Sequence, residues 1–484
     1  MRNPNFLPRA PLAASMAALV LSACALTKPP ETAELYRQAL PAAPLPERWQ
    51  SAPNTTGATS TAPVPPGWPA TFKDPALDAL IAEALANNPD LKVVASRVEQ
   101  AAAYAKVAGA ALAPQVNLIA KGGLGQSGGD GGGVNIFGLF VSWELDLWGR
   151  VRGGREFAVQ QFASAQADAE FARQSLMAAV TKNYLLAIEA SQQRALAERM
   201  QTAAEQLTAL ARDRERVGRG DGFDVAQADA SLQTYLDVVQ QLAQVESQAI
   251  RALELVLGRY PGQAMTVPTR LPDVQGDIPA GLPSALLERR PDVIAAQRRV
   301  AAAFARVDEA KAARLPRLSL TANLNAISSD IFVLKDRDNP VWGLGANLLA
   351  PIFTGGALQA QVEVRTAEQK QAIAEYARVG SRAFGEVENA LSAEIFARKR
   401  STILSRSVSE NERALELAKV RYRVGSADLR ALQQQQLASF SAQSAQLRMQ
   451  SEALVQRANL YLALGGGFDA ASAPAATGQP VASR

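Results

Sequence analysis

Two of the residue types most often used in catalysis and metal binding, histidine and cysteine, are absent or nearly absent from this chain. The 484 residues include no histidine and a single cysteine. Ser-His-Asp and Cys-His catalysis and the usual zinc sites are therefore excluded, and no internal disulfide can form. One stretch, Gly123 to Gly128, matches the dinucleotide-binding spacing GxGxxG, but more glycines and then a predicted strand follow where that site needs a helix. We expect no enzyme activity, no cofactor and no metal.

The single cysteine, Cys24, lies where a lipid could be attached. Arginines and then a short apolar run, Pro11 to Leu21, precede it, which is typical of an export signal and too short to span a bilayer. Leu21-Ser22-Ala23-Cys24 resembles a bacterial lipobox, in which the cysteine becomes the acylated first residue of the mature protein; the alternative is an ordinary signal peptide with an incidental cysteine. Ala25 and Leu26 do not resemble the acidic inner-membrane retention signal, which favours the outer membrane.

Two groups of charged residues could bind a ligand or serve structure. In Arg289-Arg290-Pro291-Asp292 the proline suits the first turn of a helix and Asp292 the positive end of the helix dipole, so a structural role is favoured over a ligand-binding cluster. Asp221 and Asp224 follow a helix break, where such a pair most often caps the next helix. The formal net charge is only +4, and no basic run is interleaved with aromatics, so we expect no nucleic-acid partner.

The elements that position these residues occur twice. Pro89 and Pro114 recur as Pro291 and Pro316, at a constant offset (291−89 = 316−114 = 202). Arg216-Val217-Gly218 recurs as Arg423-Val424-Gly425, at an offset of 207 (423−216). Units of this length indicate a duplicated domain half rather than a solenoid repeat.

Composition and periodicity divide the chain into five segments. These are an export signal (1–23), a lipidated Pro/Ala-rich tether with little regular structure (24–73), a first repeat (74–270), a second repeat (271–464) and a disordered tail (465–484). The first repeat is predicted to hold short helices, a β-hairpin at about 115–146 and a long helix pair at about 150–257. The second holds a helix at 291–314, a hairpin at about 317–350 and a long helix pair at about 357–464.

Both hairpins alternate apolar with polar or small residues. Phe137, Leu139, Val141 and Trp143 are predicted to share one face of their strand. Four such strands cannot close a barrel alone, and open edges are not tolerated in lipid. Helices of roughly 100 Å also need neighbours side by side. The sequence thus predicts an α+β membrane protein in which several chains join a β-barrel to a long helical tube.

The chain resembles the TolC-like outer-membrane efflux channels, in the lipoprotein branch related to OprM and NodT. The most specific stretches are 143–152 and 286–293, to which 351–356 and 421–425 add, and the likeness covers roughly 74–464. It implies a homotrimer, a 12-stranded barrel in the outer membrane of a Gram-negative bacterium and a helical tunnel through the periplasm. It further implies passive export of drugs or other small molecules, through a periplasmic adaptor and an inner-membrane pump of the RND or a similar type.

Two other functions stay open beside this one. A type I protein-secretion channel would use the same scaffold. A coiled-coil structural lipoprotein of the envelope is a third interpretation, against which the alternating hairpins argue. Trp143 and Trp148, at the junction of hairpin and helix, could lie at a membrane interface or pack in the core.

The resemblance also assigns a role to the helix turns at Gly218 and Gly425. In related channels the periplasmic pore mouth lies there and carries acidic rings, so Asp221 and Asp224 are expected to face the pore. The second turn departs from the family, because Arg430 and Gln434 stand where acidic or apolar residues are common. The residues expected at the mouth are Asp221, Asp224, Tyr422, Arg423, Arg430 and Gln434. Arg430 is expected to pair with Asp221 or Asp224 across the mouth and hold it closed.

Overall fold

The computed structural model describes residues 29–41, 44, 46–51, 67–121, 135–262, 265–274, 276, 278, 281, 283–328 and 340–467. Cys24 and the export signal lie outside these residues, as do the Gly123–Gly128 stretch and the tail from 468 onward.

The described elements follow the same order in each half. The first half contains α1 (Thr32–Ala39), a 3₁₀ turn (Trp68–Phe72), α2 (Pro75–Asn87), α3 (Pro89–Ala110), β1 (Gln115–Lys121), β2 (Asn135–Leu145), α4 (Arg150–Arg216) and α5 (Gly222–Leu257). The second contains α6 (Pro283–Arg289), α7 (Pro291–Ala312), β3 (Arg317–Ser328), β4 (Pro340–Leu349), α8 (Ala357–Arg423) and α9 (Leu429–Ala463).

Local signals fix where the helices begin. The Asp74 carboxylate accepts hydrogen bonds from the Ala76 and Leu77 amides of α2, and the Asn88 side chain accepts one from the Leu91 amide of α3. A proline that suits the first turn follows each of these caps. At the start of α4 the Asp146 carboxylate accepts from the amides of Val151 (3.0 Å) and Arg152 (2.8 Å). α4 and α8 each run for 67 residues, which corresponds to about 100 Å at ~1.5 Å per residue. Among the described residues, no helix is both long and apolar enough to cross a bilayer.

The four strands form one antiparallel sheet in the order β1-β2-β3-β4. The registers place Leu118 opposite Leu139, Leu139 opposite Leu324, and Leu324 opposite Trp342, so the apolar positions share one face. Many large side chains of that face are exposed, Leu344 by 80%. The opposite face carries residues such as Asn117, Asn323 and Gly345. The sheet is therefore amphipathic, with its apolar face uncovered in one chain.

The register confirms that the duplication extends to three-dimensional structure. Val116 pairs with Val141 in the first hairpin, and Leu318 pairs with Leu348 in the second. The offsets between these pairs are 202 (318−116) and 207 (348−141), the same as those read from the motifs. α4 and α8, with equal lengths and starts 207 apart (357−150), continue the second offset.

The main core lies where the middle parts of α4 and α8 meet the short helices and the residues around them. Here the structure corrects the expectation of a tether with little regular structure. In α1, Leu35 and Tyr36 are buried, and the Tyr36 ring meets Phe384 edge-on. Trp68 is fully buried and stacks on Tyr461 with 5.3 Å between ring centroids. Large apolar side chains in this Pro/Ala-rich segment thus bury enough area to order its described parts.

Candidate functional site

The two long helices end in the same capping motif. After α4, the Gly218 amide donates to Glu215 O (2.9 Å) and the Arg219 amide to Arg214 O (2.8 Å). After α8, the Gly425 amide donates to Tyr422 O (3.1 Å) and the Ser426 amide to Arg421 O (2.9 Å). Gly218 (φ 70) and Gly425 (φ 80) adopt the left-handed conformation that this motif requires and that other residues rarely adopt. Each long helix is therefore reversed by a tight, defined turn.

An aspartate starts the returning helix at each turn. The Asp221 carboxylate accepts a hydrogen bond from the Asp224 amide (2.9 Å) at the start of α5. The Asp428 carboxylate accepts from the Ala431 amide (2.8 Å) at the start of α9. Both are N-caps, which is the structural interpretation weighed for Asp221 from the sequence. Asp428 was missed there, although it lies at the repeat offset from Asp221 (428−221 = 207).

The two turns are joined by a small core and by one arginine. Tyr422 is only 2% exposed and packs in a cluster with Leu207, Ala211, Ala228, Leu429 and Leu432. The guanidinium of Arg214 lies over the Tyr422 ring, 4.6 Å from its centroid, and its Nη1 donates to Tyr422 O at 3.1 Å. Arg214 belongs to the first half and Tyr422 to the second, so this contact connects the turns of the two repeats. Sequence reasoning missed Arg214, which no motif signals.

Charges around Tyr422 act in opposite directions. Burial raises the pKa of the Tyr422 hydroxyl, the nearby Arg214 guanidinium lowers it, and the Asp224 carboxylate raises it again. Asp224 is half-buried and thus lies within electrostatic reach of the Arg214–Tyr422 contact. The Tyr422 hydroxyl is therefore influenced by a cation and a carboxylate, whose effects on its pKa oppose each other.

The other residues expected at this site lie on its surface. Arg423, Arg430 and Gln434 are exposed. Within the described part of the single chain, no ion pair joins Arg430 to Asp221 or Asp224. The polar link between α5 and α9 is instead a pair of glutamines, with Gln227 Nε2 donating to Gln433 Oε1 at 2.7 Å. In one chain, the two helix pairs are held together at this end by the small core, by the Arg214 contact between α4 and α8, and by the amide pair between α5 and α9.

Two other groups singled out from the sequence have structural contacts. Arg290 is 1% exposed, forms ion pairs with Asp292 (2.8 Å) and Glu386, and donates to Ala463 O (3.2 Å). Trp143 donates its indole N–H to Leu112 O (2.9 Å) and Trp148 donates to Pro316 O (2.7 Å). The tryptophans therefore tie the base of the sheet to the ends of α3 and α7.

An amphipathic sheet at one end of two long helix pairs, and a tightly turned, charged end at the other, define the architecture of an envelope-spanning channel. A family model described as outer membrane efflux protein matches residues 80–259 and 282–466, and the chain belongs to this family. It is 31% identical to the pyoverdine export outer membrane protein OpmQ of Pseudomonas aeruginosa, over 93% of this chain and 96% of that protein. It is 30% identical to the antibiotic efflux pump outer membrane protein ArpC of Pseudomonas putida, over 88% of this chain and 91% of that protein.

The fold is similar to a solved channel structure. The open state of the MtrE outer membrane channel of Neisseria gonorrhoeae superimposes with a TM-score of 0.77 at 29% identity, covering 87% of this chain and 96% of that chain. The resemblance, the fold class and the efflux function predicted from the sequence are thereby confirmed. The chain is an outer membrane efflux channel subunit of a Gram-negative bacterium, and its described residues form long helical hairpins and four strands.

Proposed function

We propose that three copies of this chain form a passive duct for small molecules across the outer membrane and the periplasm. The observation that carries this is the sheet. Its outer strands β1 and β4 each pair on one side only within the described chain, and its apolar face is uncovered. Three copies would supply twelve strands, close both edges and place the apolar face against lipid. The opposite face, rich in Asn, Ser and Gly, would then line a wet lumen.

The turn end is the proposed periplasmic mouth. It lies at the far end of α4 and α8 from the sheet, at a distance set by 67-residue helices. A resting duct must be narrow there, since an open one would leak. Asp221, Asp224, Tyr422, Arg423, Arg430 and Gln434 are proposed to line this mouth. A periplasmic adaptor, coupled to an inner-membrane pump of the RND or a similar type, would open it by moving the helix pairs apart.

Lipid attachment is proposed at Cys24. Acyl chains add membrane affinity through buried CH₂ groups and would hold the sheet end at the outer membrane. Mass spectrometry of the mature N-terminus should show acylated Cys24, and Cys24→Ser should remove the acyl mass. An unmodified N-terminus at another residue would show that the segment is an ordinary signal peptide.

The duct itself is tested by transport and by assembly. Native mass spectrometry in detergent should show a trimer, and planar bilayers should show channels. Expression with an adaptor and pump, in a strain lacking its own outer-membrane component, should lower dye accumulation. A stable folded monomer without conductance would overturn the proposal.

The alternative, type I protein secretion, predicts a different outcome. Its channel would restore export of a reporter protein carrying a secretion signal and leave dye accumulation unchanged. Small-molecule export is favoured because the relative ArpC is named as an antibiotic efflux component.

A further inference from the structure

Corresponding helices in the two halves of the chain differ in how much of their surface is buried. α7 buries eleven of its residues, whereas its repeat counterpart α3 buries none among the described residues. α7 packs against both α4 and α8, while α3 packs against α4 and has no comparable contact with α8. One long-helix neighbour of α3 is therefore missing from the single chain.

The internal duplication identifies that neighbour. In the two repeats, α3 is the counterpart of α7 (291−89 = 202) and α8 is the counterpart of α4 (357−150 = 207). The contact of α4 with α7 thus has a counterpart, α8 with α3, which one chain does not make. The N-terminal third of α8 shares the deficit: Ala167 of α4 is buried, and its counterpart Ala374 is exposed. The surfaces of α3 and of α8 that would make this contact are therefore both uncovered in the single chain.

The side of α3 that corresponds to the α4-facing side of α7 is exposed and includes large apolar side chains. Ala295 of α7 is fully buried, but its counterpart Val93 is 51% exposed. Val93 lies in an open groove of about 520 Å³ along α3, together with Ser96, Arg97 and Gln100. The groove lies on the side of α3 that corresponds to the face of α7 covered by α4.

Two further contacts between α7 and α4 have counterpart residues in α3 and α8, which the same offsets identify. Arg306 of α7 lies over the ring of Phe157 in α4, 3.9 Å from its centroid. Their counterparts are Tyr104 (306−202) and Val364 (157+207), which are 63% and 50% exposed. An arginine–ring contact is replaced by two apolar side chains, which are suited to pack on each other.

The charges are complementary as well. Arg299 of α7 forms an ion pair with Asp168 of α4. The counterparts are Arg97 (299−202) and Glu375 (168+207), so the signs are preserved. Arg97 is exposed and forms no ion pair with Glu375 within the described chain, where Glu375 pairs with the exposed Arg378 on its own helix. Arg97 and Glu375, which are apart in the single chain, therefore carry the same charges as Arg299 and Asp168, which form an ion pair in it.

We propose that α3 of one copy is the docking surface for the N-terminal third of α8 of the next copy, with Arg97 paired to Glu375 across the interface. This rests on the proposed trimer and names its helical contact. Repeated from copy to copy, the relation closes a ring of alternating first and second halves. By the same repeat offsets, the counterpart of the β2–β3 pairing is a pairing of β4 with β1 of the next copy.

A cysteine pair tests the contact directly. A Cβ added at Gly153 would lie 3.3 Å from Cα of Glu309, so the backbones of α4 and α7 approach closely here. The counterparts are Ala360 (153+207) and Val107 (309−202). Val107→Cys with Ala360→Cys in one chain should give cross-linked dimers and trimers on non-reducing gels after mild oxidation.

The controls define the register. Each single variant, with Cys24 left in place, should stay uncross-linked. The pair Val93→Cys with Ala360→Cys is mismatched, because Val93 lies about 21 Å along α3 from Val107 at ~1.5 Å per residue. Equal cross-linking of the mismatched pair, or none of the matched pair, would overturn the proposed interface.

Charge reversal gives a second test that does not depend on disulfide geometry. Arg97→Glu and Glu375→Arg should each speed trimer dissociation in detergent by roughly fivefold, and the double reversal should restore it. Lys106→Glu is the control, since Lys106 is exposed on the opposite side of α3, about two and a half turns away. Single reversals without effect, or a double variant no better than either, would contradict the pairing. If the parent is a conducting trimer but both tests fail, only this interface is refuted. If the parent is a monomer, the proposed function is refuted as well.

Discussion

The guanidinium of Arg214 lies over the ring of Tyr422 and donates a hydrogen bond to the Tyr422 carbonyl oxygen at 3.1 Å. The two residues come from different halves of the chain, and each lies in the last turns of a long helix. Two contacts to a buried ring and its backbone fix the distance between the two helix pairs at the turn end. Any widening of a mouth built from these turns must break or carry along this contact.

Removing the arginine should therefore ease opening. We expect Arg214→Ala to raise single-channel conductance or open probability in planar bilayers, and Arg214→Lys to have a smaller effect, because an ammonium keeps the charge but loses the planar stacking. Arg216→Ala is the matched control, since Arg216 is exposed and pairs with Asp213 on its own helix at 2.6 Å. If Arg214→Ala conducts like Arg216→Ala, the contact supports folding and not the closed state.

A buried tyrosine in α8 provides a stability prediction. Tyr376 is fully buried, and its hydroxyl has no hydrogen-bond partner among the described residues. We expect Tyr376→Phe to leave the free energy of unfolding unchanged or to raise it by about 1 kcal/mol. Tyr184→Phe is the contrasting variant, because the Tyr184 hydroxyl donates to Asp74 at 2.6 Å, and its loss should cost about 1–3 kcal/mol. Thermal unfolding in detergent compares the two, and equal losses would contradict the contrast.

The same tyrosine gives a pH dependence. Burial raises the pKa of Tyr376 to about 12. In the unfolded chain tyrosine titrates near 10, so the folded state holds this proton more tightly. The stability linked to the neutral hydroxyl is fully present below pH 10 and is lost as the pH rises toward 12. Denaturation measured from pH 9 to 12 should show a smaller alkaline loss in Tyr376→Phe than in the parent, whereas identical profiles would contradict the shifted pKa.

The Arg290 cluster should matter for stability. Arg290 is buried against Asp292, Glu386 and the Ala463 carbonyl. Its removal leaves the buried Asp292 carboxylate with only the Val293 amide (2.9 Å) and the longer contact to Arg382 (3.6 Å). We expect Arg290→Ala to lower the free energy of unfolding by about 3–5 kcal/mol. Arg289→Ala is the control on the preceding residue, which is half-buried and should change stability little. Unfolding of both variants in denaturant would show the difference, and a small loss at Arg290 would mean that water reaches the cluster.

The long elements of this fold could be read from the sequence because local signals specify them. The absence of proline across α4 and α8, and the glycines after Arg216 and Arg423, mark two helices and their ends. The alternation around Leu139 marks the strands. In contrast, α1 lies in a segment whose composition suits a tether. Its order comes from long-range burial of side chains such as Tyr36, which no local pattern reports.

At the turn end the sequence indicated the backbone conformation and the helix caps, but not which side chains contact each other across the two helix pairs. The capping role of Asp221 followed from its place after Gly218, and the repeat offset could have led to Asp428 as well. Arg214 could not have been found in this way. Its contact with Tyr422 spans 208 positions and depends on how two helix pairs pack. Distances across the fold are set by tertiary packing, which spacing along the chain does not encode.

The charges at the mouth lead to the last prediction. Arg430 is exposed, and Asp224 is half-buried near Tyr422; within one described chain they form no ion pair. A closing contact between them would therefore lie between copies. Exposed pairs are worth about 0–1 kcal/mol each, so losing one should change the closed-to-open ratio by up to about fivefold per pair. We expect Asp224→Ala and Arg430→Ala each to raise single-channel conductance, with little loss of trimer.

Ion preference separates the two variants. Carboxylates at the mouth favour cations. Asp224→Ala should therefore weaken the cation preference, while Arg430→Ala should strengthen it. Asp213→Ala is the control, because Asp213 is exposed and pairs along its own helix with Arg216. Reversal potentials in a salt gradient across a planar bilayer measure the preference. If both variants conduct like the parent and keep its ion preference, Asp224 and Arg430 are surface charges, and the closure must rest on the Arg214–Tyr422 contact or lie elsewhere in the tube.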